Sequence, residues 1–428
     1  MRLNYNKIFD ELYPLNRSLT GEGYRKSLKI LSKFIKFKII KFKSGKKIFD
    51  WTVPKEWHVN QAFLKNLNTK KIICSFKKNN LSIVNYSTKI NKKLKLRDFK
   101  SKLYTLKSQP NHTPYVTSYY KKDWGFCLNY KKFKKLNNKD NYHLLIDSSF
   151  NKGSVDLGIK ILKGKSKKIF LISSYLCHPS MANNELSGPL TLLGLHDKLK
   201  NTENNFTYMF LINPETIGSI CFLNKYWRKL KKELVGGLVL TCTGGPKQKL
   251  SYKLSKTGQS NLDKLYLNLS SHKLCDIRKF DASEGSDERQ YNSPGFNFPI
   301  GQISRTVYGQ YKEYHTSGDN KKFMKIEKIE NSIDEIFNQI RIFEKIHPLK
   351  RKMPFCELQL GKRDLYPNVN FKSFEGKNLK ENFTRNILNI LSYADGKNTL
   401  LDIANILNVP VYSLEKEYDT LKEKKLII

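Results

Sequence analysis

The 428-residue chain is longer than one ordinary domain, and its 39% hydrophobic and 12% aromatic content excludes a disordered protein. No run reaches the ~18–20 apolar residues that span a bilayer, and the seven cysteines form neither a CxxC pair nor a disulfide framework; a cytoplasmic protein with reduced thiols and no membrane partner is expected. The formal charge of +40 favours weak, salt-sensitive contact with polyanions, but the lysines are spread widely as a solvated surface, so no specific nucleic-acid function follows.

Residues 1–35 carry Ile8, Leu12, Leu15, Leu28, Leu31 and Ile35 at helical spacing, interrupted at LNRSLTGEG, where Ser18 and Thr20 are candidate caps beside two glycines. Residues 36–125 change to short alternating apolar runs such as KIICSF and LSIVNYS, a small β-rich module. Residues 126–350 alternate strands (HLLIDSSF, KKIFLISSYL, FTYMFLINPE, GGLVLTCTG) with helices (LSGPLTLLGLHDKL, ICFLNKYWRKL). That rhythm predicts an α/β domain with a mainly parallel sheet, whose functional groups collect at the carboxyl ends of the strands. Residues 351–428 hold three short amphipathic helical patterns with the turn NVPVYS, the texture of a winged helix-turn-helix.

Four polar clusters follow, three of them at expected strand ends. YLCHPSMANNELSGP (175–189) places His178 after a strand and Asn184 and Glu185 just before a helix; nitrogen and oxygen donors of this kind suit Zn²⁺. INPETIGS (212–219) puts Glu215 after an apolar strand, where a carboxylate is costly unless it binds a cation, transfers a proton or caps a helix. EGSDERQYNSPGFNFPIGQ (284–302) gathers Asp287, Glu288 and Arg289 in a loop. EYHTSGD (313–319) flanks His315 with Glu313 and Asp319, carboxylates of the kind that fix the tautomer of a metal-bound imidazole. The other histidines (58, 112, 143, 196, 272 and 347) lack convergent partners and are expected to be structural or exposed. Trp51 and Trp57 are expected to pack the small module. A catalytic pair of Cys177 with His178 is not expected, because neighbours on a strand point to opposite faces.

This order resembles the zinc aminopeptidases related to glutamate carboxypeptidase II. More closely, ELYPLNRSLTGEG (11–23), DWTVPKEW (50–57), PYVTSYYKKDWGFC (114–127), CHPSMANNELSGP (177–189), PETIGS (214–219), GSDERQY (285–291) and VYGQYKEYHTS (307–317) resemble a bacterial family of aminopeptidase-like proteins, often labelled as polysaccharide-biosynthesis proteins. The resemblance implies a three-layer α/β/α domain with a mixed, mainly parallel sheet (1–35 and 126–350), an inserted small β-rich domain (36–125) and a winged-helix domain (351–428). It implies that His178 and His315 are the first and last zinc ligands and that Glu215 is the general base. Thr216 then stands where a second zinc-binding Glu is usual, and Asn184 where a carboxylate bridges two zincs, with Glu185 beside it as a substitute. Thr243-Gly244-Gly245 offers no carboxylate. Asp287 resembles the Asp of a Ser-Asp-His segment beside the site and completes the candidate metal set of His178, Glu185, Asp287 and His315. One zinc, or none, is expected rather than two.

Two functions follow. In the first, a zinc-dependent aminopeptidase-like hydrolase cleaves an amide or peptide bond. Glu215 carries the proton and Arg289 meets a substrate carboxylate or the oxyanion. The family label extends the substrate from a small peptide to an amino-sugar-like compound in polysaccharide or modified-sugar metabolism. In the second, a degenerate scaffold or regulator uses the winged helix for protein or DNA contacts. Four acidic residues in YSLEKEYDTLKEKK weigh against DNA. Self-association into a homo-oligomer stays open.

Overall fold

The computed structural model describes residues 3–366 and 379–428; the parts of the N-terminal and winged-helix expectations that fall on residues 1–2 and 367–378 lie outside them. Asn4 starts helix α1 (Tyr5–Leu12) by accepting the Lys7 N–H at 3.0 Å, and the helix buries Ile8, Phe9 and Leu12. The turn into α2 (Glu22–Ser32) requires its glycines: Gly21 has φ +98°, and a Cβ on Gly23 would stand 1.9 Å from the Asn16 carbonyl oxygen. Ser18 and Thr20 do not cap this helix. They tie the arm to the small β module instead, Ser18 donating to Asn85 Oδ1 at 2.5 Å and the Thr20 hydroxyl lying 2.8 Å from that of Tyr86.

Strand β1 (Lys38–Lys43) forms one edge of the large sheet. Strands β2 (Glu56–Asn66), β3 (Ile72–Ser75), β4 (Ile90–Lys95) and β5 (Asn141–Asn151) make a separate antiparallel sheet in the order β3-β2-β5-β4. The sheets therefore exchange strands across residues 36 and 125: β1 pairs in the large sheet, and β5 pairs in the small one.

The large sheet continues with β6 (Ser154–Leu162), β7 (Ile169–Tyr175), β8 (Thr207–Asn213), β9 (Leu234–Leu240), β10 (Ser251–Lys253), β11 (Asp276–Arg278) and β12 (Ile300–Ser304). Its order is β1-β6-β8-β7-β9-β12-β10-β11, and β8, β7, β9 and β12 run parallel. Parallel strands covered on both faces need apolar side chains in both directions, and β7 is buried at every position. Phe170 and Ile172 join the core that holds Leu190 and Leu193 of helix α3 (Ser187–Leu199). Ile169 and Leu171 join the opposite core with Ile220 and Leu223 of α4 (Ile217–Glu233). Helices α5 (Asn261–Ser271) and α6 (Ile326–Glu344) cover the α3 face, which completes an α/β/α sandwich.

At the C-terminus, β13 (Pro348–Lys350) pairs with β14 (Asp395–Thr399), and helices α7 (Leu379–Tyr393), α8 (Leu400–Ile406) and α9 (Glu415–Glu423) surround this short ribbon. Thr399 and Asp402 form a reciprocal capping box at the start of α8. This winged helix is docked on the sandwich. Asn268 of α5 donates to Asn405 at 2.8 Å and accepts from the Val411 N–H at 2.9 Å, while Lys345 holds Glu415 at 2.7 Å and Asp419 at 2.9 Å. Among the described residues, no helix is long and apolar enough to cross a membrane.

Candidate metal and catalytic site

The parallel strands deliver their polar groups to one crevice: β7 leads to His178, β8 to Glu215, β9 to Thr241–Gly245, and β12 to the loop that carries His315. His178 is buried. Its Nδ1 lies 2.7 Å from Glu185 Oε2, and its Nε2 lies 3.7 Å from Glu215 Oε2. Because a carboxylate accepts, Nδ1 carries the proton, and Nε2, on the Glu215 side of the ring, is the nitrogen that a cation would meet once the imidazole is neutral. The His315 ring stands beside it, with centroids 5.3 Å apart.

Electrostatics favour a cation here. Burial opposes charge on His178, yet Glu185 and Glu215 outweigh it and raise the imidazole above its ordinary value. Burial, and then the charge of His178, push His315 down to about 3, so its lone pair is free near neutrality. Burial raises Glu215 despite the opposing pull of His178 and Ser286. The 3.7 Å gap is too long for a hydrogen bond. Two donors on one tetrahedral zinc, each at about 2.1 Å, stand roughly 3.4 Å apart, so the gap is of the right size for an ion. A buried Glu185 oxygen and the Asn184 Nδ2 also lack hydrogen-bond partners among the described residues. His178 and Glu215 therefore face each other across a gap of the size an ion needs, with the His315 ring beside them.

Three of the expected site residues have defined partners. Glu185, a candidate ligand, sits on the Nδ1 side of His178 and orients the ring, as a carboxylate behind a metal-bound imidazole does. Asp287, another candidate ligand, has its oxygens occupied: it accepts from Asn213 Nδ2 at 2.8 Å, the Thr216 N–H at 2.7 Å and Ser219 Oγ at 2.9 Å. Burial and the nearby Glu215 raise it to about 7. It braces the turn that aims Glu215, in which β-branched Thr216 is held at φ +63°, a conformation costly for such a residue. Asp319 does not orient His315. It accepts the N–H groups of Asn183 at 2.6 Å and Asn184 at 2.9 Å and so fixes the π-helical turn Ala182–Leu186 that carries Glu185. His315 is held instead by Tyr314, stacked at 4.0 Å, and by the Tyr115 N–H, which donates to its carbonyl at 2.7 Å.

Cys177 lies past the end of β7, so strand alternation does not separate it from its neighbour, and its sulfur comes within 3.5 Å of His178 Nδ1. Cys177, His178 and Glu185 thus gather their donor atoms within 4.8 Å of one another. They meet on the side of the ring that Glu185 already occupies. Burial holds the thiol well above its ordinary pKa, and its sulfur accepts the Glu215 N–H at 3.3 Å. Arg289 is half-buried, donates from Nε to the Ser286 carbonyl at 3.0 Å, and contributes positive charge near Glu215. Ser286 Oγ donates to Glu215 Oε1 at 2.7 Å.

Sequence reasoning missed four residues. Arg17 is fully buried, and its Nε donates to the His178 carbonyl at 3.0 Å. Tyr115 places its ring 5.0 Å from that of His178 and 5.3 Å from that of His315. Lys253 and Gln302 hold Glu288 at 3.1 and 3.0 Å, which pins the loop bearing Ser286, Asp287 and Arg289. Arg17 and Tyr115 lie in the resembling stretches at 11–23 and 114–127, the one available signal. Gln302 closes the polar cluster at 284–302, and Lys253 gave no signal.

Residues 6–346 match a family described as "Domain of unknown function (DUF4910)", and residues 347–428 match a winged helix-turn-helix family. A relative in Clostridium acetobutylicum is 39% identical over 403 residues, covering 94% of this chain and 90% of its own length. It is provisionally named a polysaccharide biosynthesis protein with aminopeptidase-like domain. A crystal structure from Clostridium acetobutylicum, provisionally described as a peptidase, matches with a TM-score of 0.89 and 35% identity over 99% of this chain and 95% of that one. A zinc aminopeptidase from Bacillus subtilis shares the fold, with a TM-score of 0.55 and 11% identity over 79% of this chain and 94% of its own.

Proposed function

The chain belongs to the DUF4910 family and has an aminopeptidase-like fold with a C-terminal winged helix, and from the geometry of its crevice we propose that it is a zinc-dependent hydrolase of an amide or peptide bond. The observation that carries this reading is the Nε2 of His178, which faces Glu215 at 3.7 Å beside the His315 ring while Glu185 secures Nδ1. His178 and His315 would hold one zinc, with Glu185 as the orienting carboxylate. A zinc bound there would supply a water acidified toward a pKa of ~7 and a Lewis acid for the carbonyl. Glu215 takes the proton of the attacking water and returns it to the leaving amine; its raised pKa suits both transfers. Ser286 keeps Glu215 aimed, and Arg289, at the rim, meets a substrate carboxylate or the developing oxyanion. The name of the Clostridium acetobutylicum relative points the substrate toward amino-sugar amides of polysaccharide metabolism.

The test is zinc content together with amide hydrolysis over a panel of peptides and amino-sugar amides. The expected result is about one zinc per chain, lost in His178→Ala, with weak turnover of simple amino-acyl amides and faster turnover of a modified substrate. A second reading, a non-catalytic scaffold, draws on Asn184 and Thr216 standing where carboxylates are expected for two metals. It gains if the wild-type protein takes up no zinc and hydrolyses nothing. In either reading the winged helix packs on the sandwich, where Asn268 and Lys345 engage its second and third helices.

A further inference from the structure

Away from the crevice, the chain folds a second cavity of about 560 Å³, within the range of small-molecule sites. Its walls come from three places: the hairpin around Gly45 and Val53–Lys55, the end of β5 at Phe150 and Lys152, and the loops that carry Tyr86 and Ser118–Lys122. Tyr86, Tyr120 and Phe150 give it aromatic surface. Lys55, Lys121, Lys122 and Lys152 stand around it, and among the described residues its lining includes no carboxylate. The nearby Asp123 is engaged by Lys102 at 2.5 Å. All four lysines are exposed, so their ammonium groups are available to a ligand. Tyr120 is held at φ +64° with its ring 5.2 Å from Trp51 and stays 54% exposed, an aromatic face kept out of the core at a cost in backbone strain. Four positive charges on an apolar, aromatic cleft match a ligand with a ring at one end and a multiply charged anion at the other.

We propose that this cavity binds a phosphorylated ring compound, a nucleotide or a sugar phosphate, whose ring rests on Tyr120, Tyr86 and Phe150 and whose phosphates meet Lys121, Lys122, Lys152 and Lys55. The site is distinct from the crevice but touches it through aromatic contacts. Tyr86 packs on Tyr119 at 5.2 Å, the Tyr119 and Tyr115 hydroxyls lie 2.8 Å apart, and Tyr115 packs on both crevice histidines. Segment 114–122 therefore forms a wall of both sites.

Calorimetric titration of the full chain at about 0.15 M salt tests the assignment with uridine diphosphate, glucose 1-phosphate, pyrophosphate and uridine as probes. One of the two phosphorylated ring compounds should bind with one site per chain and more tightly than pyrophosphate or uridine; which of the two binds better identifies the source. The variant K121Q/K122Q/K152Q, built on exposed side chains, should weaken that binding by about tenfold or more. A variant of equal charge change on the winged helix, K416Q/K422Q/K424Q, should leave it within about twofold. Tyr120→Ala should weaken the ring compound and spare pyrophosphate. Equal losses in the two triple variants would reduce the effect to the chain's general positive charge and overturn the proposal, as would the absence of binding by every probe. Loss of binding in His178→Ala would move the ligand to the crevice and overturn it equally, whatever the fate of the hydrolase reading.

Discussion

Two turns of this molecule each bury a carboxylate at the start of a helix, yet the two carboxylates do opposite work. In the turn before α3, Glu185 uses one oxygen on His178 and leaves the other without a hydrogen-bond partner among the described residues. In the loop beside α4, Asp287 accepts from a side-chain amide, a backbone N–H and a hydroxyl. Burial is the same for both, 1% and 0% exposed, so burial does not separate a functional carboxylate from a structural one. Hydrogen-bond satisfaction does. An oxygen left unpaired in a dry site costs free energy that an ion or substrate can recover, whereas a saturated carboxylate serves the backbone around it.

Substitutions sharpen or break this contrast, and the largest effect falls on the imidazoles. His178→Ala removes the metal and all hydrolysis, read as zinc content and turnover after dialysis; retained zinc would place the ion elsewhere. Next comes Glu215→Gln, expected to lower turnover by about 10²–10⁴-fold with zinc retained. Loss of zinc in this variant would make Glu215 a ligand rather than the base. Asp287→Ala strands the buried Asn213 amide and the half-buried Thr216 N–H, while Ser219 keeps the Thr216 carbonyl, and should cost about 2 kcal/mol or more, seen as a lower denaturant midpoint. If instead it left stability unchanged and stripped the zinc, Asp287 would be a ligand. Glu185→Gln keeps the fold and should weaken zinc about 10–100-fold, measured by chelator competition. The smallest effect belongs to Lys345→Met, which cuts the partly exposed ties to Glu415 and Asp419 and should cost no more than about 1 kcal/mol.

Much of this architecture is legible in the chain because periodicity reports burial. The buried strand β7 and the helical pattern of α3 lie where the amino acids suggest, and His178 and Glu215 follow from polar residues placed just beyond such strands. Partnership is harder to read. Nothing local tells that Glu185 turns to Nδ1 of a residue seven positions back, or that Asp287 reaches across to Asn213 and Thr216. Ser18 and Thr20 illustrate the same limit: both fit a helix cap by type, but their partners, Asn85 and Tyr86, belong to another module. Arg17 and Lys253 escape for a further reason. In a chain with 78 basic residues, a buried cation looks like every exposed one.

X-ray absorption at the zinc edge of the metal-loaded protein examines the proposed centre most directly, since it counts the atoms around the ion. The expected spectrum has two imidazoles and light oxygen or nitrogen donors at about 2.0–2.1 Å and no sulfur. A sulfur shell at about 2.3 Å would bring Cys177 into the coordination sphere, and a single imidazole would leave His315 out of it. Either result would contradict the meeting of His178 and His315 on one ion.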